Sequence, residues 1–353
     1  MVINIYDGSN WKSSDEVKIY DGTNWKDAEV YVYTGSAWKQ TFPAIYGLDW
    51  QVIHNTARWW NGISISSDGA YMTSVVYGGY IYGSSDYGVN WGQLTSDSTR
   101  SWLGVAMSSD GAYQLAGAES GRTWISSNYG VSWSSVDPEG SATPYSWKGP
   151  SISSNGTYML IGNYGGPGVY ISSDSGTSWT GKLTSTNRNW NGTAMSADGQ
   201  YMTAVASGNY IWGSSDYGAS WSQLTSDATR SWSSVSMSAD GQYQTAVAVN
   251  DYIYVSSNYG STWSAIPSLY YVWRGISVSS DGKYQTAVSS GTSGTNGNIW
   301  GSSNYGATWI NLTNFISDGG RNWSSVSMTS TGNIQAAVIN GASGERYIWA
   351  SKD

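Results

Sequence analysis

WSSVSMSADGQYQTAVAVNDYIYVSSNYGSTWSAI, residues 232–266, decides how the whole chain is read. WSSVSMS alternates side chains in the period of a half-buried strand. SADG is a tight turn in which Asp240 and Gly241 suit left-handed backbone. YQTAVAV is a second strand, a variable loop follows, and YIYVSS is a third. NYGST turns the chain into TWSAI, the fourth. Four short strands bounded by turn signals make one antiparallel meander.

The meander recurs. Its first half returns as WNGISISSDGAY (60–71), WLGVAMSSDGAY (102–113), WKGPSISSNGTY (147–158), WNGTAMSADGQY (190–201), WRGISVSSDGKY (273–284) and WSSVSMTSTGNI (323–334). The six intervals from Trp60 to Trp323 average about 44 residues, the length of a four-stranded propeller blade. The second half returns as SSDYGVNW (84–91), SSNYGVSW (126–133), SSDSGTSW (172–179), SSDYGASW (214–221) and SSNYGATW (302–309). The seventh copy stops at Ser351, Lys352, Asp353, and YGLDW at 46–50 continues it in register. The expected fold is therefore all-β, a seven-bladed β-propeller of four-stranded antiparallel blades over residues 46–353. A strand at 48–53 closes its last blade, because an open ring leaves two unpaired edges. Asp353 is expected beside Tyr46.

Composition agrees. Charged residues are 11% of the 353, while the chain has 44 Gly, 22 Trp and 28 Tyr, a vocabulary of strands and turns. The net charge of −8, with no basic stripe, argues against nucleic acid and anionic membrane partners. Without cysteine, disulfides and thiolate chemistry are excluded, and a single histidine, His54, argues against His-rich metal sites. No metal or cofactor is expected. No apolar run reaches 18 residues, so no membrane insertion is expected. MVINIYDGSN has no charged n-region and no apolar h-region, so it does not read as a secretory signal peptide.

The segment Ser-x-Asp-x-Gly-x-x-Trp resembles the Asp-box, or bacterial neuraminidase repeat, of sialidases, some endoglucanases, lectins and photosystem assembly factors. That resemblance implies a hairpin turn between the third and fourth strands, on the face away from the ligand. Its structural positions would be Asp86, Asn128, Asp174, Asp216, Asn258, Asn304 and Asp353. Asn keeps the acceptor and loses the charge, which suits a structural cap and not a metal or catalytic site. The repeated aspartates Asp68, Asp110, Asp198, Asp240 and Asp281 follow the first strand and read as turn residues in the same way.

The opposite face carries the loops that enter the first strand and that join the second to the third. Arg58, Arg100, Arg188, Arg230 and Arg321 each lie two residues before an opening tryptophan, five of the eight arginines in the chain. Tyr145 and Tyr271 replace them in the third and sixth copies. Arg beside Trp is sugar-site chemistry, with ring faces stacking and guanidinium groups bonding hydroxyls or a carboxylate. The ligand-binding candidates are therefore Arg58 with Trp60, Arg100 with Trp102, Arg188 with Trp190, Arg230 with Trp232 and Arg321 with Trp323. The competing reading makes each arginine a loop brace, paired with Asp97, Asp227 or Asp318 three residues earlier, and makes the tryptophans inter-blade core. Catalysis by paired carboxylates would have to draw on Glu119, Asp137, Glu139, Asp251 or Glu345, and no enzyme is expected.

Residues 1–45 repeat differently: INIYDGSNWK (3–12), VKIYDGTNWK (17–26) and VYVYTGSAWK (30–39) each read as a β-hairpin. They resemble Tyr-Asp-Gly-x-x-Trp-Lys repeats of phage virion proteins, which implies an attachment region docking on other virion proteins, either in a homo-oligomer or against a host structure. The function these resemblances imply is a virion structural protein, such as a tail fibre, spike or capsid-displayed appendage. It would be located on the virion or outside the cell, with its propeller binding host-surface carbohydrate. The alternatives are a free bacterial lectin, a polysaccharide-degrading glycoside hydrolase and a purely structural decoration protein.

Overall fold

A computed structural model describes residues 49–140, 144–225, 228–291, 297–315, 321–340 and 346–352, together with the backbone of six strands between residues 4 and 42. The chain divides into two compact units, Met1–Ile45 and Tyr46–Asp353. In the first, Asn4–Tyr6 pairs with Trp11–Ser13, Lys18–Tyr20 with Trp25–Asp27, and Val30–Tyr33 with Trp38–Phe42, each antiparallel. The pairs Tyr6–Trp11, Tyr20–Trp25 and Tyr33–Trp38 stand at the same place in all three registers.

The second unit is a β-propeller. Blade one is the meander Trp60–Ile65, Met72–Gly79, Ile81–Ser84 and Gly92–Gln93. Further meanders of the same kind follow around the ring, joined edge to edge into an 8-stranded, a 12-stranded and a 4-stranded sheet. In blade seven, Trp323–Met328, Ile334–Ile339 and Ile348–Lys352 are completed by Trp50–His54, with Ser351 opposite Trp50 and Ile348 opposite His54. The closing strand thus lies one to two residues beyond the expected 48–53. Asp353 and Tyr46, expected as neighbours, lie outside the described residues.

One set of backbone bonds closes the circle. The turn after each first strand donates an N–H to the same turn of the next blade: Ser67 to Ser109, Ser109 to Ser154, Ser154 to Ala197, Ala197 to Ala239, Ala239 to Ser280, Ser280 to Ser330, and Ser330 back to Ser67. Within six of these turns an Asp or Asn side chain accepts a backbone N–H, as Asp68 does from Ala70 at 3.0 Å, while in the seventh Asn333 accepts the Thr329 and Thr331 hydroxyls. Gly69, beside Asp68, has φ +85°, a conformation that favours glycine.

The seven opening tryptophans, Trp60, Trp102, Trp147, Trp190, Trp232, Trp273 and Trp323, are 0–1% exposed and wedge between blades. Several reach back one blade through the indole N–H: Trp102 to Gly79 O, Trp147 to Gly121 O, Trp232 to Asn209 O and Trp60 to Arg346 O. A second inter-blade contact comes in two chemical forms. Thr73, Thr203, Thr245 and Thr286 donate hydroxyls to Gln114, Gln244, Gln285 and Gln335 of the following blade at 2.7–2.8 Å. At the other junctions Leu115, Leu160 and Ala336 stand at the threonine position, and Met159, Met202 and Met72 stand at the glutamine position. Hydroxyl thus always meets amide, and hydrocarbon always meets thioether.

Blades three and five depart from four short strands. Met159–Ser172 and Gln244–Ser256 each run through the second and third strands. Thr180–Met195 and Ser264–Val278 each run from one blade into the next. The loop pairs Pro167–Asn187 and Asp251–Tyr271 join edge to edge, extending two ribbons from the loop face. These loops vary between copies, so no repeat signal announced the pairing.

Candidate functional site

The first strands run from the loop face to the box-turn face and line a central channel. In six blades a β-bulge leaves the residue after the opening tryptophan unpaired; in blade three the irregularity falls at Gly149–Pro150. Bulges re-aim side chains. This position presents Asn61, Leu103, Lys148, Asn191, Ser233, Arg274 and Ser324 to a cavity of about 760 Å³. Towards the box-turn face the cavity ends among Ile65, Met107, Ile152, Met195, Met237, Val278 and Met328, which line a second cavity of about 160 Å³.

The mouth is held by polar bonds. Asn61 Nδ2 donates to Trp102 O (2.9 Å), Asn191 Nδ2 to Trp232 O (2.7 Å) and Ser324 Oγ to Trp60 O (3.0 Å), each bridging to the next blade. Asn340 Nδ2 donates to Asn61 Oδ1 at 3.0 Å. Lys148 Nζ donates to Asn191 Oδ1 at 3.0 Å and lies 5.0 Å from the Tyr164 ring. Burial, and next the charge of Arg274, hold the Lys148 pKa down at about 8. Arg274 Nε donates to Ser290 Oγ at 3.0 Å. Among the described residues that line this cavity there is no Asp or Glu.

The expected arginines form an outer ring. Their guanidinium groups sit over the aromatic residue of the third strand of their own blade: Arg58 over Tyr82 (4.4 Å), Arg100 over Trp124 (4.0 Å), Arg188 over Trp212 (5.3 Å), Arg230 over Tyr254 (4.5 Å) and Arg321 over Trp349 (4.9 Å). In blade six Tyr271 takes the arginine's place, its ring 5.6 Å from Trp300. Arg100 also pairs with Asp97 in two bonds, Nη1–Oδ1 3.1 Å and Nη2–Oδ2 2.5 Å, and Arg230 Nε donates to the Tyr254 hydroxyl at 2.6 Å. The other expected partners, Asp227 and Asp318, lie outside the described residues. Trp60, Trp102, Trp190, Trp232 and Trp323 leave no ring face open, so the sugar stacking expected of them is corrected: burial between blades occupies both faces. The open aromatic surface near the loop face is Trp59 (43% exposed, with Arg346 at 3.7 Å), Tyr77 (41%), Tyr164 (41%) and Tyr270 (58%).

Of the carboxylates named for catalysis, Asp137 and Glu139 share one turn, and the Tyr170 hydroxyl donates to Glu139. Glu119 accepts the Tyr77 hydroxyl at 2.6 Å. Asp137 caps its own turn through the Glu139 and Gly140 N–H groups. Asp251 accepts from Tyr254 Oη at 3.0 Å, and Glu345 lies outside the described residues. His54 packs 5.5 Å from Trp60, and burial, then Arg58, lower its pKa, so it stays neutral at pH 7.

The box turns are structural. Asp86 Oδ1 accepts the Asn90 N–H (2.8 Å), Gly88 N–H donates to Ser84 Oγ (2.9 Å), and Trp91 Nε1 donates to Gly88 O (3.2 Å). Asp174 and Asp216 accept the N–H four residues on in the same way, and so do Asn128, Asn258 and Asn304. With Asp the second oxygen accepts a further donor, as from Ser220 Oγ; with Asn the amide donates instead, as to Thr262 Oγ1. Asp353 lies outside the described residues.

Reading the repeat for its constant residues passed over Lys148 and Arg274. The available signal was the one variable letter in an otherwise fixed W-x-G or W-x-S frame: N, L, K, N, S, R, S around the ring.

No known family pattern matches this chain, and neither does any curated protein sequence. Solved structures match its fold. The GH74 xyloglucanase of Xanthomonas campestris gives a TM-score of 0.67 at 13% identity, over 86% of this chain and 53% of that one. The GH74 enzyme of Niastella koreensis gives 0.67 at 15%, over 85% and 55%. YCF48 bound to a D1 peptide gives 0.63 at 16%, over 87% and 99%. The chain thus spans about half the length of the two GH74 enzymes. At these identities the likeness is one of propeller fold alone.

Proposed function

We propose that the propeller is a carbohydrate-recognition module whose loop face takes host-surface glycan, displayed by an attachment region at residues 1–45. The observation that carries this reading is the channel mouth, where the side-chain amides of Asn61, Asn191 and Asn340 are held by hydrogen bonds and the half-exposed Tyr164 ring lies 5.0 Å from Lys148 Nζ. Ring faces match sugar C–H surfaces, and amides match hydroxyls. Binding is favoured over hydrolysis because glycoside cleavage requires two facing carboxyl groups. Among the described residues the channel lining supplies none, and Glu119 is engaged by Tyr77.

The Asp-box assignment rests on the turn geometry, in which Asp and Asn act interchangeably as caps. The virion placement rests on the three hairpins and their Tyr-Asp-Gly-x-x-Trp-Lys resemblance. A glycan array probed with the full chain tests binding. Retention that falls on Trp59→Ala and Tyr164→Ala supports the reading, and no glycan retained by wild type overturns it. Deleting residues 1–40 should leave a folded propeller that no longer enters particles; incorporation without them overturns the anchor role. Reducing-end release from host polysaccharide, lost on Glu119→Gln, would establish the hydrolase instead.

A further inference from the structure

We propose that the channel mouth is a carboxylate site, in which Lys148 and Arg274 bind the acidic group of a uronic-acid-type sugar. This rests on the carbohydrate reading above and names the ligand's charge.

The first observation is where cations stand in the repeat. Five blades carry Arg two residues before the opening tryptophan and a neutral residue after it: Arg58 with Asn61, Arg100 with Leu103, Arg188 with Asn191, Arg230 with Ser233, and Arg321 with Ser324. Blades three and six alone invert the order, with Tyr145 before and Lys148 after, and Tyr271 before and Arg274 after. Tyr271 takes over the aromatic packing that arginine supplies elsewhere. The positive charge has moved from an outer ring, where it stacks on aromatics, to the channel. A brace has no need of that move.

The second observation is that the two cations lack counter-charge. The chain carries a net −8, yet no carboxylate lines this cavity among the described residues. Among those residues Lys148 Nζ has one acceptor, Asn191 Oδ1, and Arg274 has one, Ser290 Oγ, through Nε. An ammonium carries three donors and a guanidinium five, so most remain for a ligand. Lys148 is half-buried and Arg274 is exposed at the channel, and cations in a cleft without counter-charge are candidate binding groups. The Asn191 amide is fixed at both ends, by Lys148 and by Trp232 O, so the ammonium is positioned before any ligand arrives.

Carboxylate is favoured over a neutral hydroxyl because it supplies the missing charge. Sugar is favoured over peptide because Tyr164, half-open beside Lys148, offers a ring face. The test titrates the full chain at constant ionic strength with glucuronate, glucose, acetate, sulfate and a short peptide, reading calorimetric affinity and Tm. Glucuronate should bind more tightly than glucose and acetate. Lys148→Met and Arg274→Gln should each weaken it roughly ten- to a hundredfold, the loss of one charge-assisted bond. Leu103→Glu, which places a counter-charge in the same ring, should weaken it as well; all three variants are checked for native tryptophan fluorescence. Equal glucose and glucuronate binding, untouched by the variants, overturns the carboxylate site and leaves the carbohydrate reading standing. Acetate or sulfate bound in a Lys148-dependent way, with no sugar bound, overturns the sugar assignment and the carbohydrate reading with it. Peptide bound more tightly than glucuronate overturns the sugar assignment, and no ligand bound by wild type overturns the site.

Discussion

Replacing Lys148 with methionine should make the propeller more stable. The folded pKa of about 8, against 10.5 for ordinary lysine, means that the buried site disfavours the charged form. Each unit is worth 1.36 kcal/mol, so the penalty at pH 7 is about 3 kcal/mol. Methionine keeps similar length and removes the charge, but loses the bond to Asn191, roughly 1 kcal/mol. The net expectation is about 2 kcal/mol of stabilisation, or about 3 °C in Tm for a unit of this size. The pH dependence has a definite sign. The folded chain releases the Lys148 proton near pH 8, and the unfolded chain holds it to 10.5. Below pH 8 the penalty is fully present. Between those values the unfolded state binds more protons, so wild-type stability gains with rising pH. The charged group facing Lys148 is Arg274, and no carboxylate lines the cavity among the described residues. Scanning calorimetry in a buffer free of small carboxylates should find the largest gap between variant and wild type below pH 8, closing toward 10.5. A variant less stable than wild type at pH 7, or a gap constant with pH, refutes the reasoning.

Other expectations follow from the same contacts. Gln244→Met alone strands the buried Thr203 hydroxyl and should cost roughly 1–3 kcal/mol in urea unfolding. Adding Thr203→Leu should recover most of it, because Leu–Met is the pairing already present between blades two and three and between blades three and four. Non-recovery would mean that the two pairings are not equivalent. Arg100→Ala removes the stack on Trp124 and the Asp97 pair, and should destabilise by about 1 kcal/mol. Glycan binding lost at unchanged stability would instead make Arg100 a ligand residue. The pKa values of Asp86 and Asp216 are lowered to about 2, chiefly by the Asn90 N–H and by Ser220 respectively. Their contribution is present above the ordinary value of 3.8 and is lost as pH falls toward 2. A Tm that declines between pH 5 and 4 rather than below would contradict that assignment.

The parts of the fold that repeat were legible. Trp60 and its six counterparts, the box turns and the split seventh unit are constant residues in a constant frame, and each is constant because backbone geometry or inter-blade volume demands it. The ribbons at Pro167–Asn187 and Asp251–Tyr271 were not legible, because pairing of irregular loops leaves no period. The site was hidden for the opposite reason. Lys148 and Arg274 occupy the single position that the frame leaves free, and attention to recurrence discards such positions as noise. The same habit overvalued the opening tryptophans: their regularity reports packing, and packing removes them from any ligand. Trp124, Trp212, Trp300 and Trp349 share one position of the third strand, three of them beneath arginines and Trp300 against Tyr271.

The borrowed strand has a consequence for how the molecule comes into being. Trp50–His54 precedes its partner Ile348–Lys352 in the chain, so nearly three hundred residues are added before the two can meet. The entropy of bridging such a span grows only logarithmically with its length, so delay is a larger burden than distance. Until then the nascent chain is an arc with two bare rims, each able to capture a neighbouring ribosome's product. A polypeptide halted short of Ile348 lacks the strand on which Trp50–His54 pairs, and its two rims stay bare.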